Sequence, residues 1–130
     1  MAHANFHIAT GIAVGTAITL IPLARAWASG RPLARPVGRM LLASYGLGFW
    51  AVMPGFLTKL GAPNSVHDAW WSNVFVLHSF INAHYGGGLL IGELAIGTAF
   101  IGHYLLVVLA LRRARALARA HRGRSAPGTM

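Results

Sequence analysis

The chain has no cysteine and only two acidic residues, Asp68 and Glu93, among its 130 residues. The absence of cysteine excludes disulfide bonds, thiolate metal ligands and cysteine nucleophiles. Charged residues make up 10% of the chain, whereas a soluble domain usually carries about a quarter. So few charged side chains cannot cover a soluble surface, and 55% of the residues are apolar. The composition therefore predicts an integral membrane protein.

The basic residues are segregated along the chain. Ten of the eleven Lys and Arg residues lie in two stretches, Arg25 to Arg39 and Arg112 to Arg124. Because short basic loops stay on the cytoplasmic side of a membrane, both stretches are expected to face the cytoplasm. These residues flank apolar runs, so anionic lipid headgroups are their nearest partners, and the net charge of +9 is not taken to indicate nucleic-acid binding. The predicted headgroup contacts are Arg112, Arg113, Arg115, Arg119, Arg122 and Arg124.

Apolar runs predict three membrane-spanning helices, at about 4–24, 40–57 and 88–111. The segment 29–39 is rich in Gly and Pro, which predicts a loop. A Pro-Gly pair near the end of the second run predicts a kink or an early end of that helix. In the segment 74–85, polar residues recur at spacings of three and four, which places them on one face of a short interfacial or re-entrant helix.

The predicted fold is therefore an all-α integral membrane domain over residues 1–124, with three transmembrane helices and one short helix. Three spans place both basic stretches in the cytoplasm when the N-terminus lies outside and the C-terminus inside. The arginine-rich stretch is expected to extend the third span as a helix along the headgroups, and residues 125–130 are expected to be flexible. The predicted location is a bacterial-type inner membrane.

Glycines four residues apart predict close contacts between helices, because small residues let membrane helices approach each other. Such pairs occur in the first span and at the start of the third, and two more glycines follow later in the third span. The sequence leaves open whether the neighbouring helix belongs to this chain or to another. These glycines are Gly11, Gly15, Gly88, Gly92, Gly97 and Gly102.

Glu93 is the most unusual residue of the third span. A charged side chain at mid-membrane costs about 2.5–3.5 kcal/mol on insertion scales, so it should face protein or water and have a partner. Its depth matches that of His7, His78 and Asn82 near the outer face. We predict that Glu93 forms hydrogen bonds within this polar cluster, and a protonated, structural glutamate is the favoured interpretation.

Three histidines, His7, His78 and His103, are candidate ligands for a metal, a haem or a pigment. His103 lies inside the third span and is the best placed for haem iron or chlorophyll magnesium. None of the three lies in a diagnostic ligand motif such as HExxH. Hydrogen bonding between helices is the alternative role, and the sequence leaves the cofactor unknown.

Scattered residues follow the motifs of one family of membrane proteins. His7 precedes Gly11 where that family has a histidine before a glycine-containing span. Residues 77–79, Leu-His-Ser, correspond to its Thr-His-Ser motif, and His103 to the histidine after its glycine-aromatic stretch. Residues 53–56, Met-Pro-Gly-Phe, stand where it has a Leu-Pro-Asp-x-Asp motif, so both aspartates are missing, as is the acidic residue after the last histidine. In these positions the chain resembles the membrane-bound metal-dependent hydrolases of the YdjM type. The resemblance implies a metal-dependent membrane hydrolase, or an inactive relative that lacks the hard-metal ligands.

Three functions are compatible with these patterns. The favoured one is a non-catalytic accessory or structural subunit packed among other subunits of a photosynthetic or respiratory membrane complex. It is favoured by the small size, the glycine-bearing helices and the lack of a Ser-His-Asp arrangement, a phosphate loop or a redox motif. The second is the metal-dependent hydrolase or its inactive relative. The third is a small transporter or channel component that uses Glu93 and His103 and needs oligomers to form a path.

Overall fold

The computed structural model describes residues 4–65, 69–84 and 89–124, without the side chains of Asn82, Leu89 and residues 121–124. The described residues form an all-helical fold, as predicted. The elements are α1 (Ala4–Ala28), α2 (Ala34–Ala51), α3 (Met53–Lys59), a 3-10 helix (Trp70–Val74), α4 (His78–His84) and α5 (Leu89–Arg124). Gly88, residues 125–130 and the side chains of Asn82, Arg122 and Arg124 lie outside this description.

Within the described residues, two helices are long and apolar enough to cross a membrane, namely α1 and the part of α5 from Leu90 to Ala120. The pair of α2 and α3 gives a third span if the two are counted as one broken helix. The apolar helices therefore support a multi-pass membrane protein. The prediction that the arginine-rich stretch extends the last span as a helix is confirmed, because α5 continues to Arg124.

The break between α2 and α3 bends the chain by 43°. Pro54 has no N–H to donate to the carbonyl of Trp50, and a proline ring clashes with that carbonyl in a regular helix. The N–H of Val52 bonds instead to the carbonyl of Phe49 at 3.2 Å, which tightens the last turn of α2. This is the kink that the Pro-Gly pair predicted.

The loop between α1 and α2 covers residues 29–33 and is shorter than the predicted range 29–39, because α2 begins at Ala34. The helix α1 also continues to Ala28, beyond the end at 24 predicted for the first span. Gly30 has a φ of +73°, and the N–H of Arg31 bonds to the carbonyl of Ala26 at 3.1 Å, as in the Schellman motif that ends many helices. Pro36 lies in the first turn of α2, where an N–H has no partner within the helix, so it does not interrupt the helix.

The single short helix predicted at 74–85 is replaced by two elements with a sharp corner between them. Val76 and Leu77 have positive φ values of 55° and 58°. Asn73 holds this corner, since its backbone carbonyl accepts the N–H of Leu77 at 2.8 Å and its side-chain oxygen accepts the N–H of Phe80 at 2.9 Å. The second bond caps the first turn of α4, a role that side-chain oxygens commonly fill.

The helices α1 and α2 pack closely through glycine. A Cβ on Gly11 would lie 2.6 Å from the Cα of Gly48, and a Cβ on Gly15 would overlap the backbone of Ser44. Real Cβ atoms essentially never approach other atoms within 3.0 Å. The two glycines therefore set the distance between these helices, as the small-residue pattern of the first span predicted.

The helix α5 contacts α1 near both ends of α1. At one end a Cβ on Gly92 would lie 2.8 Å from the backbone N of Phe6. At the other end the guanidinium of Arg113 lies 5.4 Å from the ring centroid of Trp27 and donates to the carbonyl of Trp27 at 3.2 Å. We call the end with Arg113 and Trp27 the basic end, and the end with His7 and His78 the histidine end. Buried apolar side chains fill the basic end: Leu23, Ala26, Leu33, Val37, Met40 and Ala110.

Candidate functional site

A polar network around His103 connects α1, α2 and α5. The His103 side chain is 5% exposed. Its Nε2 lies 3.1 Å from Oγ1 of Thr16, and its Nδ1 lies 3.1 Å from the hydroxyl of Tyr45. The Oγ of Ser44 lies 3.0 Å from the same Thr16 oxygen. One histidine therefore bonds to a hydroxyl on each of the other two long helices.

The carbonyl of Ile12 determines the direction of the bonds at Thr16. The Thr16 hydroxyl lies 2.8 Å from this carbonyl, which can only accept, so Thr16 donates its single proton there. The Nε2–H of His103 and the hydroxyl of Ser44 must then both donate to the Thr16 oxygen. Nε2 of His103 therefore carries a proton. In the neutral imidazole this leaves a lone pair on Nδ1, which accepts the hydroxyl proton of Tyr45.

This assignment bears on the predicted ligand role of His103. Both ring nitrogens are engaged by hydroxyl groups, so a metal, haem or pigment at this position would have to displace Tyr45 or Thr16. The arrangement matches the alternative role, hydrogen bonding between helices. Sequence reasoning missed Thr16, Ser44 and Tyr45, although hydroxyl residues at comparable depths of neighbouring spans were a usable signal.

The histidine end holds a second polar group, made of His7 and His78. Their rings stack with centroids 4.1 Å apart and an interplanar angle of 23°, and the side chains are 2% and 1% exposed. The Nδ1 of His78 lies 3.1 Å from the carbonyl of Ala51. Because a carbonyl only accepts, Nδ1 of His78 carries a proton. Ala51 is the last residue of α2, so this bond connects α4 to the break between α2 and α3.

The stacked pair is poorly arranged to share a metal ion. Lone pairs of imidazole nitrogens lie in the ring plane, and two nearly parallel rings do not direct them at one point. Across residues 4–65, 69–84 and 89–124, no group of three or more His, Asp or Glu side chains is placed to hold a metal ion. Joint ligation by His7 and His78 would therefore require one ring to rotate.

Glu93 lies on the exposed surface of α5. Its Oε1 is 3.5 Å from Nδ2 of Asn5 on α1, a long hydrogen bond. The neighbouring Gly92 brings the two backbones together at this level, which explains why Asn5 is within reach. Of the predicted polar cluster, the structure brings together His7 and His78. Glu93 is paired with Asn5, which was not among the predicted residues, and the side chain of Asn82 lies outside the description.

Replacing Glu93 by glutamine is expected to change the free energy of unfolding by less than about 0.5 kcal/mol, as for most exposed positions. Glutamine keeps an oxygen that can accept the amide proton of Asn5, as a carboxyl group does. Reversible unfolding in detergent, followed by circular dichroism, measures the difference. A loss of more than about 1 kcal/mol would contradict the exposed position of Glu93 and indicate a carboxyl group needed for folding.

The predicted packing glycines divide into two groups. Gly11, Gly15 and Gly92 lie against the backbone of another helix, whereas a Cβ on Gly97 or Gly102 would meet no atom within 4 Å. Gly46 of α2, which the sequence did not single out, is equally open.

The predicted headgroup arginines also differ, since Arg113 is half-buried against Trp27 while Arg112, Arg115 and Arg119 are exposed on α5.

The chain matches no family model, and neither a curated protein nor a solved structure is significantly similar to it. The resemblance to membrane-bound metal-dependent hydrolases therefore stays a prediction that depends on the scattered residues named above.

Proposed function

We propose that this chain is a non-catalytic accessory subunit that packs within a larger complex of a bacterial-type inner membrane. The open glycines carry this proposal. Glycine in a helix interior costs about 1 kcal/mol relative to alanine, and at Gly11 and Gly15 the close approach of α2 accounts for it. A Cβ on Gly46 or Gly97 would meet no atom of another helix within 4 Å, so contact with a helix of another subunit is what would use their small size.

We further propose that the N-terminus lies outside and the C-terminus in the cytoplasm. The contact between Arg113 and Trp27 supports this orientation, because it brings the arginine-rich part of α5 beside the C-terminal end of α1. Both basic stretches then belong to one end of the bundle, where the positive-inside rule places them in the cytoplasm.

An energy-transducing complex, photosynthetic or respiratory, is the host that we propose. An exposed aromatic surface on the 3-10 helix also supports contact with other subunits. Trp70 is 82% exposed on the 3-10 helix, and Trp71 beside it is also exposed. The indole of Trp50 fixes this segment to α2 by donating to the carbonyl of Val74 at 3.1 Å and by packing against the ring of Phe75 at an interplanar angle of 32°. Exposed tryptophans on a fixed segment are typical of subunit interfaces and of the membrane surface.

The other two functions find less support in the geometry. A hydrolase would need its metal at His7 and His78, whose rings are stacked and nearly parallel. A transport path through Glu93 and His103 would join an exposed carboxyl group to a histidine ten residues away, about 15 Å along the helix at 1.5 Å per residue. Elemental analysis of the purified protein tests the hydrolase, since stoichiometric metal bound to His7 and His78 would overturn the accessory role.

Purification in a mild detergent followed by native mass spectrometry tests the proposal directly. We expect the chain to be recovered with other membrane subunits. Gly97→Leu should reduce that recovery about tenfold, which corresponds to about 1.4 kcal/mol of association free energy. Ala24→Leu is the matched control, because it places the same leucine side chain at an exposed position near the end of α1.

Two results would count against the accessory role. One is a chain that is recovered as a monomer from its native membrane. The other is equal recovery of partner subunits with the wild-type chain and with Gly97→Leu and Gly46→Leu combined.

A further inference from the structure

An open groove of about 1020 Å³ separates the middle parts of α1 and α5. Its α1 wall presents Ala9, Ala13 and Ala17, which recur every four residues and so share one face of the helix. Leu20 and Leu109 are the lining residues nearest the basic end. Because this surface belongs to the apolar part of both helices, hydrocarbon rather than water is the material that fills it.

The polar residues of the groove favour a simple hydrocarbon chain as its occupant. Thr16, Thr98 and His103 are the polar residues among its lining. Thr16 and His103 bond to each other. Thr16 also donates to the carbonyl of Ile12 in its own helix, and the second ring nitrogen of His103 bonds to the hydroxyl of Tyr45 on α2. A ligand with several polar groups on a ring would find few free partners along this wall.

The basic end of the groove is suited to an anionic headgroup. Arg112 and Arg113 follow Leu109 by three and four residues, so all three lie on the same face of α5. Arg113 is already held against the ring and carbonyl of Trp27, while Arg112 is exposed. Guanidinium groups bind phosphate through paired N–H donors, and tryptophan is enriched at headgroup level.

We infer that the groove and its basic end form a binding site for one anionic phospholipid. An acyl chain lies along the alanine wall of α1, and the phosphate is held at Arg112 and Arg113. Charge decides between this occupant and a helix of a second copy, because each copy carries a net charge of +9 and would bring further arginines to the same end. The inference goes beyond the accessory role and does not depend on the identity of the host.

The test uses the full chain in detergent, titrated with phosphatidylglycerol or with phosphatidylcholine of the same acyl chains, and native mass spectrometry counts bound lipid. We expect one phosphatidylglycerol to bind at least about tenfold more tightly than phosphatidylcholine, a difference of about 1.4 kcal/mol. Arg112→Gln combined with Arg113→Gln should remove this preference. Ala13→Trp, which fills the groove, should reduce the binding of both lipids.

Matched controls separate the site from general effects. Arg35→Gln combined with Arg39→Gln removes the same charge from exposed positions of α2, and Leu42→Trp adds an indole at a position of α2 that is 78% exposed; both variants should bind lipid like the wild-type chain. Thermal unfolding checks that each variant is folded, and Ala13→Leu replaces Ala13→Trp if the larger side chain prevents folding.

Three outcomes would overturn the inference: equal affinity of the wild-type chain for the two lipids, an unchanged preference in the double arginine variant, or unchanged binding in the folded groove variant. Occupation of the groove by a second copy would also overturn it. Because the chain has no cysteine, an Ala13→Cys variant reports that occupation through a disulfide-linked dimer.

Discussion

Replacing Gly15 by leucine is expected to separate α1 from α2 and to lower the free energy of unfolding by about 3 kcal/mol or more. A Cβ at this position would overlap the backbone of Ser44, and a helix backbone cannot move aside as the end of a long side chain can. Overpacking alone costs about 1–3 kcal/mol. Separation of the helices would also break the bond between Ser44 and the adjacent Thr16.

The matched control for this variant is Gly97→Leu, which introduces the same side chain at a glycine whose Cβ would meet no atom of another helix within 4 Å. Its stability should stay within about 0.5 kcal/mol of the wild-type chain or rise slightly, since leucine is the better helix former. Reversible unfolding in detergent gives both values. Equal losses at Gly15 and Gly97 would show that the close approach of α1 and α2 is absent in solution.

His103→Leu is expected to destabilise the bundle by about 1–3 kcal/mol. It removes two hydrogen bonds between helices, each of which contributes on average about 0.6 and at most about 1.7 kcal/mol in a membrane protein. It also leaves the hydroxyl of Tyr45 without its acceptor in an apolar setting, which adds to the loss. The unfolding free energy in detergent, measured against the wild-type chain, gives the effect.

A double-mutant cycle with Tyr45→Phe distinguishes the specific bond from a general loss of packing. If Tyr45 donates to His103, the two substitutions should be non-additive, with a coupling energy of about 0.5 kcal/mol or more. His84→Leu is the control, because His84 is exposed and bonds to the carbonyl of Phe80 in its own helix. Additive effects, or the loss of a bound chromophore with unchanged stability, would contradict the structural role of His103.

The features that the sequence predicted correctly are the local ones. A long apolar run is enough to indicate α1, and the alternation of Ala and Arg after Leu111 favours the continuation of α5, because both are strong helix formers. The break at Pro54 also follows from the missing N–H of one residue. Each of these depends on neighbours in the chain and requires no knowledge of the other helices.

The features that were missed depend either on a backbone conformation that the residues disfavour or on contacts between distant segments. The corner at Val76 and Leu77 has positive φ values, which a β-branched residue such as Val76 rarely adopts, so residue preferences argue against it. Hydrogen bonds to the backbone and side chain of Asn73 stabilise this conformation. The partners of His103 depend on the register of three helices. A shift of α1 by one residue would turn Thr16 by about 100° away from the network, given 3.6 residues per turn.

The uninterrupted length of α5 exceeds the thickness of the hydrocarbon layer of a membrane. Its 36 residues measure about 54 Å at 1.5 Å per residue, while that layer is about 30 Å thick. If α5 crosses the layer as we propose, with Arg113 and Trp27 at the lipid surface, the 11 residues that follow Arg113 extend beyond that surface by about 17 Å. An acidic partner would then meet the arginines of this part at a set distance from the lipid.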